Sequence, residues 1–255
     1  MATAWRSLRQ GGPASVWAAA WRHLSLLRYR RPGNVVAVDG CRISLHGVAP
    51  SVRYWLLTGE YELPERSMLP RIDAALPVIE LGGSLGVIAC LTNRRLKDPS
   101  RHLVVEANQA LLARIEDNRN RNGARFEAVH AAIAYDTPFV EFPAQEDSLA
   151  SSLYMASARL ARTPALSLEA LHARAGFGRF TLICDIEGAE TELLEREISF
   201  LSRWVDKMIL ELHPQIESRL SSRRALEIVE AHGFRVLARE RDTYCLVNQR
   251  PAAAP

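Results

Sequence analysis

Lysine is almost missing from this chain: Lys97 and Lys207 are the only two, so nearly all the positive charge is arginine. This reads as compositional bias, and a net charge of +3 is too small to argue for a nucleic-acid partner. C-x-x-C spacing is absent too. Cys41, Cys90, Cys184 and Cys245 are scattered, and Cys90 and Cys184 sit in apolar runs, which points to buried, reduced thiols in a cytoplasmic protein. No apolar run reaches the length of a membrane span, and there is no internal repeat or low-complexity tract; 251–255 reads as a loose tail.

Acid is also missing from the first 38 residues, which carry Arg6, Arg9, Arg22, Arg28, Arg30 and Arg31 before Asp39. Within them Trp17, Ala20, Trp21, Leu24 and Leu27 recur at helical spacing beside a basic face. Packing of this helix on the rest of the protein is the expectation. Contact with a membrane surface and organelle targeting are the alternatives.

What the chain does have is V-I-E-L-G-G-S-L-G-V-I-A, Val78 to Ala89, an apolar run that ends in an acid and a glycine turn and passes into a second apolar run. That is the layout of a strand, a tight loop and a helix start, which holds nucleotide-like ligands. Gly82, Gly83 and Gly86 allow close approach of backbone to ligand. Glu80 disfavours a pyrophosphate and suits a cationic amino group. The dinucleotide fingerprint needs glycine where Leu81 stands. R-H-L-V-V-E then ends in Glu106, where a nucleotide-binding βαβ unit places its ribose-holding carboxylate.

Further strands and helices alternate, with strands expected at 102–105, 126–130, 181–184 and 207–212 and helices over 109–122 and 223–232. F-R-V-L-A-R and T-Y-C-L-V-N close the chain as an antiparallel hairpin. The expected fold is α/β, a doubly wound, mostly parallel seven-stranded Rossmann-like sheet. Residues 76–250 would form that domain and 1–75 an N-terminal extension, with a hairpin at Asp39-Gly40 and two short helices over 54–63 and 64–76.

These residues resemble the FkbM-like family of S-adenosylmethionine-dependent methyltransferases. The carriers are E-L-G-G-S-L-G at 80–86, V-V-E-A-N at 104–108, N-R-N-R-N-G at 118–123, C-D-I-E-G-A-E at 184–190 and E-L-H at 211–213. Two departures stand out: Glu80 and Ser84 replace the family's more usual Asp and Asn, and Ala107 replaces a common Pro. The resemblance implies S-adenosyl-L-methionine as cofactor and methyl transfer to a hydroxyl of a small acceptor, such as a sugar or secondary metabolite. A serine-rich loop at Asp147 to Tyr154 would border the acceptor pocket.

The cofactor residues expected are Glu80, Gly82, Gly83, Ser84 and Gly86 at the methionine end and Glu106 with Ala107 and Asn108 at the ribose. Ala131 and Ala132 would lend backbone groups to the adenine edge. Asp185, Glu187 and His213 are the expected catalytic residues: His213 as base, Asp185 orienting it or binding the acceptor. Asp185 and Glu187 could share a divalent cation, but the expectation is no metal, since no His/Cys cluster supports one. A binding protein that has lost turnover and a nicotinamide-dependent oxidoreductase are the competing classes.

Overall fold

The computed structural model describes residues 34–143, 160–216 and 219–250. The basic N-terminal helix and the serine-rich loop expected from the sequence lie outside them.

The chain enters through a hairpin of β1 (Val35–Val38) and β2 (Cys41–Ser44), turned by Asp39 and Gly40 at φ +44° and +83°. Both turn residues are left-handed, as a two-residue hairpin loop demands. Next come α1 (Pro50–Thr58), α2 (Leu63–Met68) and a 3₁₀ turn, Leu69–Arg71. α1 starts and stops earlier than 54–63 because Pro50 suits a first helical turn and Gly59, at φ +76°, ends it.

The remaining elements are β3 (Val78–Leu81), α3 (Val87–Asn93), β4 (His102–Glu106), α4 (Gln109–Arg121), β5 (Glu127–His130), β6 (Ala132–Ile133), β7 (Phe139–Pro143), β8 (Leu160–Leu166), α5 (Leu168–Ala175), β9 (Phe180–Cys184), α6 (Glu190–Trp204), β10 (Val205–Glu211), α7 (Arg219–Ala231), β11 (Phe234–Glu240) and β12 (Thr243–Asn248). Seven strands make one sheet in the order β11-β12-β10-β9-β3-β4-β5, parallel except for β12, which pairs antiparallel with both neighbours. The doubly wound sheet and its closing hairpin are therefore as expected.

β6, β7 and β8 form a separate three-stranded sheet that the sequence did not announce. Pro143 and Pro164 fall within β7 and β8, and proline weakens a strand signal.

Alternation along the strands feeds two cores, one on each face of the sheet. Ile79, Leu103, Leu182 and Met208 pack towards α5, α6 and α7, and Val78, Val104, Ile183 and Ile209 pack towards the N-terminal hairpin and α1–α4. The hairpin is latched to α4 by asparagines. Asn118 accepts from the Ser44 amide and donates to the Leu85 carbonyl, each at 2.8 Å, and Asn122 bonds both backbone groups of Arg42. Among the described residues no helix is long and apolar enough to cross a membrane.

Candidate functional site

β3, β4, β9 and β10 deliver the expected site residues to the carboxyl end of the sheet, where open α/β sheets bind ligands. The glycine loop follows β3 and stays tied to the sheet, because the amides of Gly82 and Gly83 both donate to the Val105 carbonyl, at 2.9 and 3.0 Å. Gly82 has φ +91°, and a Cβ there would stand 1.8 Å from the Asp185 carbonyl oxygen. A Cβ on Gly83 would press on Val104 and Ile115 at 2.8 and 2.9 Å. These two glycines are thus fixed by close packing of the loop on its neighbours, a stronger requirement than room for a ligand.

Glu106, the last residue of β4, is 7% exposed and closes on this loop. Its carboxylate accepts from the Ser84 and Asn108 amides, both at 2.7 Å. Burial raises its pKa to about 7, against the lowering effect of the Asn108, Ser84 and Ala107 amides. Asn108 spends its side chain on the Ala110 amide, capping α4. Ala107 offers its carbonyl to Thr163 at 2.9 Å. The Ala131 amide already donates to the Glu106 carbonyl, and Ala132 pairs with Ala165 in the small sheet.

Glu80 is placed differently from expectation. It shares the face of Val78 and lies in the core, 1% exposed, with its Oε2 3.4 Å from Nε2 of the equally buried His102. As placed, it is half of a buried pair rather than an acid open to a ligand amino group, and burial raises its pKa. At the loop itself, the Ser84 hydroxyl meets the Tyr61 hydroxyl at 2.8 Å, so the segment between α1 and α2 reaches the glycine turn.

Asp185, Glu187 and His213 come together as expected. His213 Nε2 lies 3.3 Å from Asp185 Oδ1 and 3.6 Å from Glu187 Oε2, and its Nδ1 is 2.9 Å from Glu190 Oε1. Glu190, with no exposed surface, also accepts from the Ile186 and Gly188 amides at 2.9 Å each. One carboxylate therefore fixes both the turn that carries Asp185 and Glu187 and the ring of His213. Glu187 sits in that turn at φ +53°.

Burial opposes charge on His213, but the bond to Glu190 and the charges of Asp185, Glu190 and Glu187 outweigh it and raise its pKa to about 9. In the free protein the ring thus holds its proton at neutral pH. That corrects the expectation of His213 as the resting base.

Three further acids that the sequence reading did not assign to the site stand here. Glu62 and Glu65, at the start of α2, bring further acid to this crevice, and Glu211 ends β10 beside them. Glu211 is pushed up to about 12 by burial and by Asp185, Glu65 and Glu187, and Glu62 is raised by burial, Glu65 and Asp185. Among the described residues no lysine or arginine pairs with Glu62, Glu65, Asp185, Glu187 or Glu211; His213 is the sole cation bridged to Asp185 and Glu187. Glu211 was legible in E-L-H, whereas nothing local marks Glu62 or Glu65.

No family model matches the chain, and no curated protein matches it. Solved structures do resemble it in fold. One is a protein of the NADB-Rossmann superfamily from Streptococcus agalactiae, at 11% identity over 72% of this chain and 65% of that one, TM-score 0.43. Another is a putative O-methyltransferase from Klebsiella pneumoniae, at 14% identity over 72% and 78%, TM-score 0.46. A third is a precorrin-6y C5,15-methyltransferase from Geobacter metallireducens, at 14% identity over 72% and 82%, TM-score 0.43.

Proposed function

We propose that this protein transfers a methyl group from S-adenosylmethionine to a hydroxyl of a small acceptor. The observation that carries the reading is Glu106: a buried carboxylate at a strand end, bonded to the glycine loop and free of any cationic partner among the described residues. Such a group suits neutral donors like the two ribose hydroxyls. The crevice beside it is lined by Asp185, Glu187 and Glu211, and among the described residues no lysine or arginine pairs with them to hold a pyrophosphate, which argues against a nicotinamide dinucleotide.

The residues fit the cofactor as follows. Glu106 would hold the ribose, and Ser84 with the 82–86 loop would face the methionine end. Bound there, S-adenosylmethionine supplies an electrophilic methyl on a sulfonium that leaves as a neutral thioether. The acceptor oxygen forms the new carbon–oxygen bond and must shed its proton. Glu187 is the base this site offers: its side chain is 41% exposed, reachable by an acceptor, and burial among acids raises its pKa. Asp185 would align the acceptor, with Glu190 and His213 holding Asp185 and Glu187 in position. Residues 34–75 would wall the crevice through Tyr61, Glu62 and Glu65, an extension to the domain that starts near residue 76.

Equilibrium dialysis of the full chain against labelled S-adenosylmethionine and labelled NAD tests the reading. Retention of the former alone is expected. Retention of NAD in preference would overturn it.

A further inference from the structure

The cluster at the ends of β9 and β10 holds more acid than proton transfer needs, and its ring is set in an unusual way. One ligand atom each from Asp185, Glu211 and His213 lies within 4.8 Å of the others. Donors that sit about 2.0–2.6 Å from a shared ion stand within roughly 4–5 Å of one another, so the spacing is that of a coordination shell.

The second observation concerns His213. Its side chain is 5% exposed, and Nδ1 is engaged by Glu190, which directs Nε2 at Asp185 and Glu187. A buried carboxylate holding the far nitrogen is the arrangement that orients histidines for a metal. Glu190 is itself pinned by the Ile186 and Gly188 amides, so the ring direction is built into the backbone. Asp185 Oδ1, 3.3 Å from Nε2, is buried and has no hydrogen-bond partner among the described residues. Its contact with the ring is an ion pair without hydrogen-bond geometry, and a metal ion set between the two would satisfy both the oxygen and the ring nitrogen.

We propose that Asp185, Glu211 and His213 form a site for a divalent cation of the manganese type. Two carboxylates and one imidazole, with no thiolate, select against copper(I) and iron–sulfur chemistry and suit manganese. Three protein ligands leave coordination positions for water and an acceptor oxygen. On binding, the Nε2 proton leaves to solvent and the ring lone pair takes the ion. A cation there would draw the acceptor's hydroxyl into place and acidify it; that role rests on the methyl-transfer reading, while the binding does not.

The test is a Mn²⁺ titration of the chelator-treated full chain, following loss of the free-ion paramagnetic resonance signal. A single saturable site is expected in the wild type. Glu211→Gln and Asp185→Asn, checked for fold by circular dichroism, should each bind at least tenfold more weakly. Glu190→Gln, which alters the group positioning both the ring and the turn that carries Asp185, should weaken Mn²⁺ by roughly 10–100-fold. Absence of Mn²⁺ binding in the wild type, or wild-type affinity in both ligand variants, overturns the site. S-adenosylhomocysteine is titrated in the same samples. Mn²⁺ bound without the nucleoside supports the metal site and sinks methyl transfer; the nucleoside bound without Mn²⁺ overturns the metal site alone.

Discussion

His213 and Glu190 meet at 2.9 Å, Nδ1 to Oε1, across the junction between the end of β10 and the start of α6. Glu190 serves the Ile186 and Gly188 amides with the same carboxylate. Glu190→Ala would leave a buried imidazole and two amides without their acceptor. It should cost about 3–5 kcal/mol of unfolding free energy, the range for breaking a buried pair on one side. Urea denaturation measures it, and a loss below about 1 kcal/mol would show that water takes over the role.

The loop glycines separate two kinds of strain. Gly82→Ala adds a Cβ 1.8 Å from the Asp185 carbonyl oxygen at φ +91°, so clash and dihedral penalty combine. Gly123→Ala, at φ +59° with open space around it, carries the dihedral term alone. The second should cost about 1 kcal/mol and the first about 2–5 kcal/mol. Equal losses in parallel thermal melts would mean that the loop moves away from β9.

The asparagine latch was singled out by the N-R-N-R-N-G run but not explained by it. Asn118, 1% exposed, bridges β2 to the glycine loop through the Ser44 amide and the Leu85 carbonyl. Asn118→Ala should destabilise by about 1–3 kcal/mol for each group left unpaired and loosen the hairpin. Faster amide exchange at Ser44 reads this out. Unchanged protection there would show that hydrophobic packing alone holds the hairpin.

Glu106 makes cofactor binding pH-dependent. Its pKa in the folded protein is about 7, above the ordinary 4.5, because burial disfavours the charge. The folded state therefore binds the proton more tightly than the unfolded chain, so the group's stabilising contribution is complete below about 4.5 and is lost as pH rises through about 7. Ligand binding runs the other way, since the ionised form accepts the ribose hydroxyls. Affinity for S-adenosylhomocysteine should fall up to about tenfold from pH 8 to pH 6. Glu106→Gln should flatten the profile; a wild-type slope in that variant would assign the titration elsewhere.

The central sheet was readable because β3, β4 and β9 are buried on both faces and so appear as unbroken apolar runs. T-Y-C-L-V-N even has the observed bounds of β12. β7 and β8 were hidden by their prolines. In the site, Asp185, Glu187, Glu190 and His213 were legible through two short motifs whose spacing is local. Glu62 and Glu65 were not, because only docking of α2 against β10 and β12 brings them there. Glu80 was misread because strand-end acids were taken as open, whereas its parity with Val78 points it into the core.

The claim that Glu106 receives the ribose of S-adenosylmethionine is tested most directly by calorimetric titration of the wild type and Glu106→Ala with S-adenosylhomocysteine at pH 8. The account predicts that the wild type binds and that the variant, still folded, loses about 1.5–3 kcal/mol of affinity, roughly 10–150-fold. Equal affinity in the two proteins, or no binding by the wild type, would contradict it.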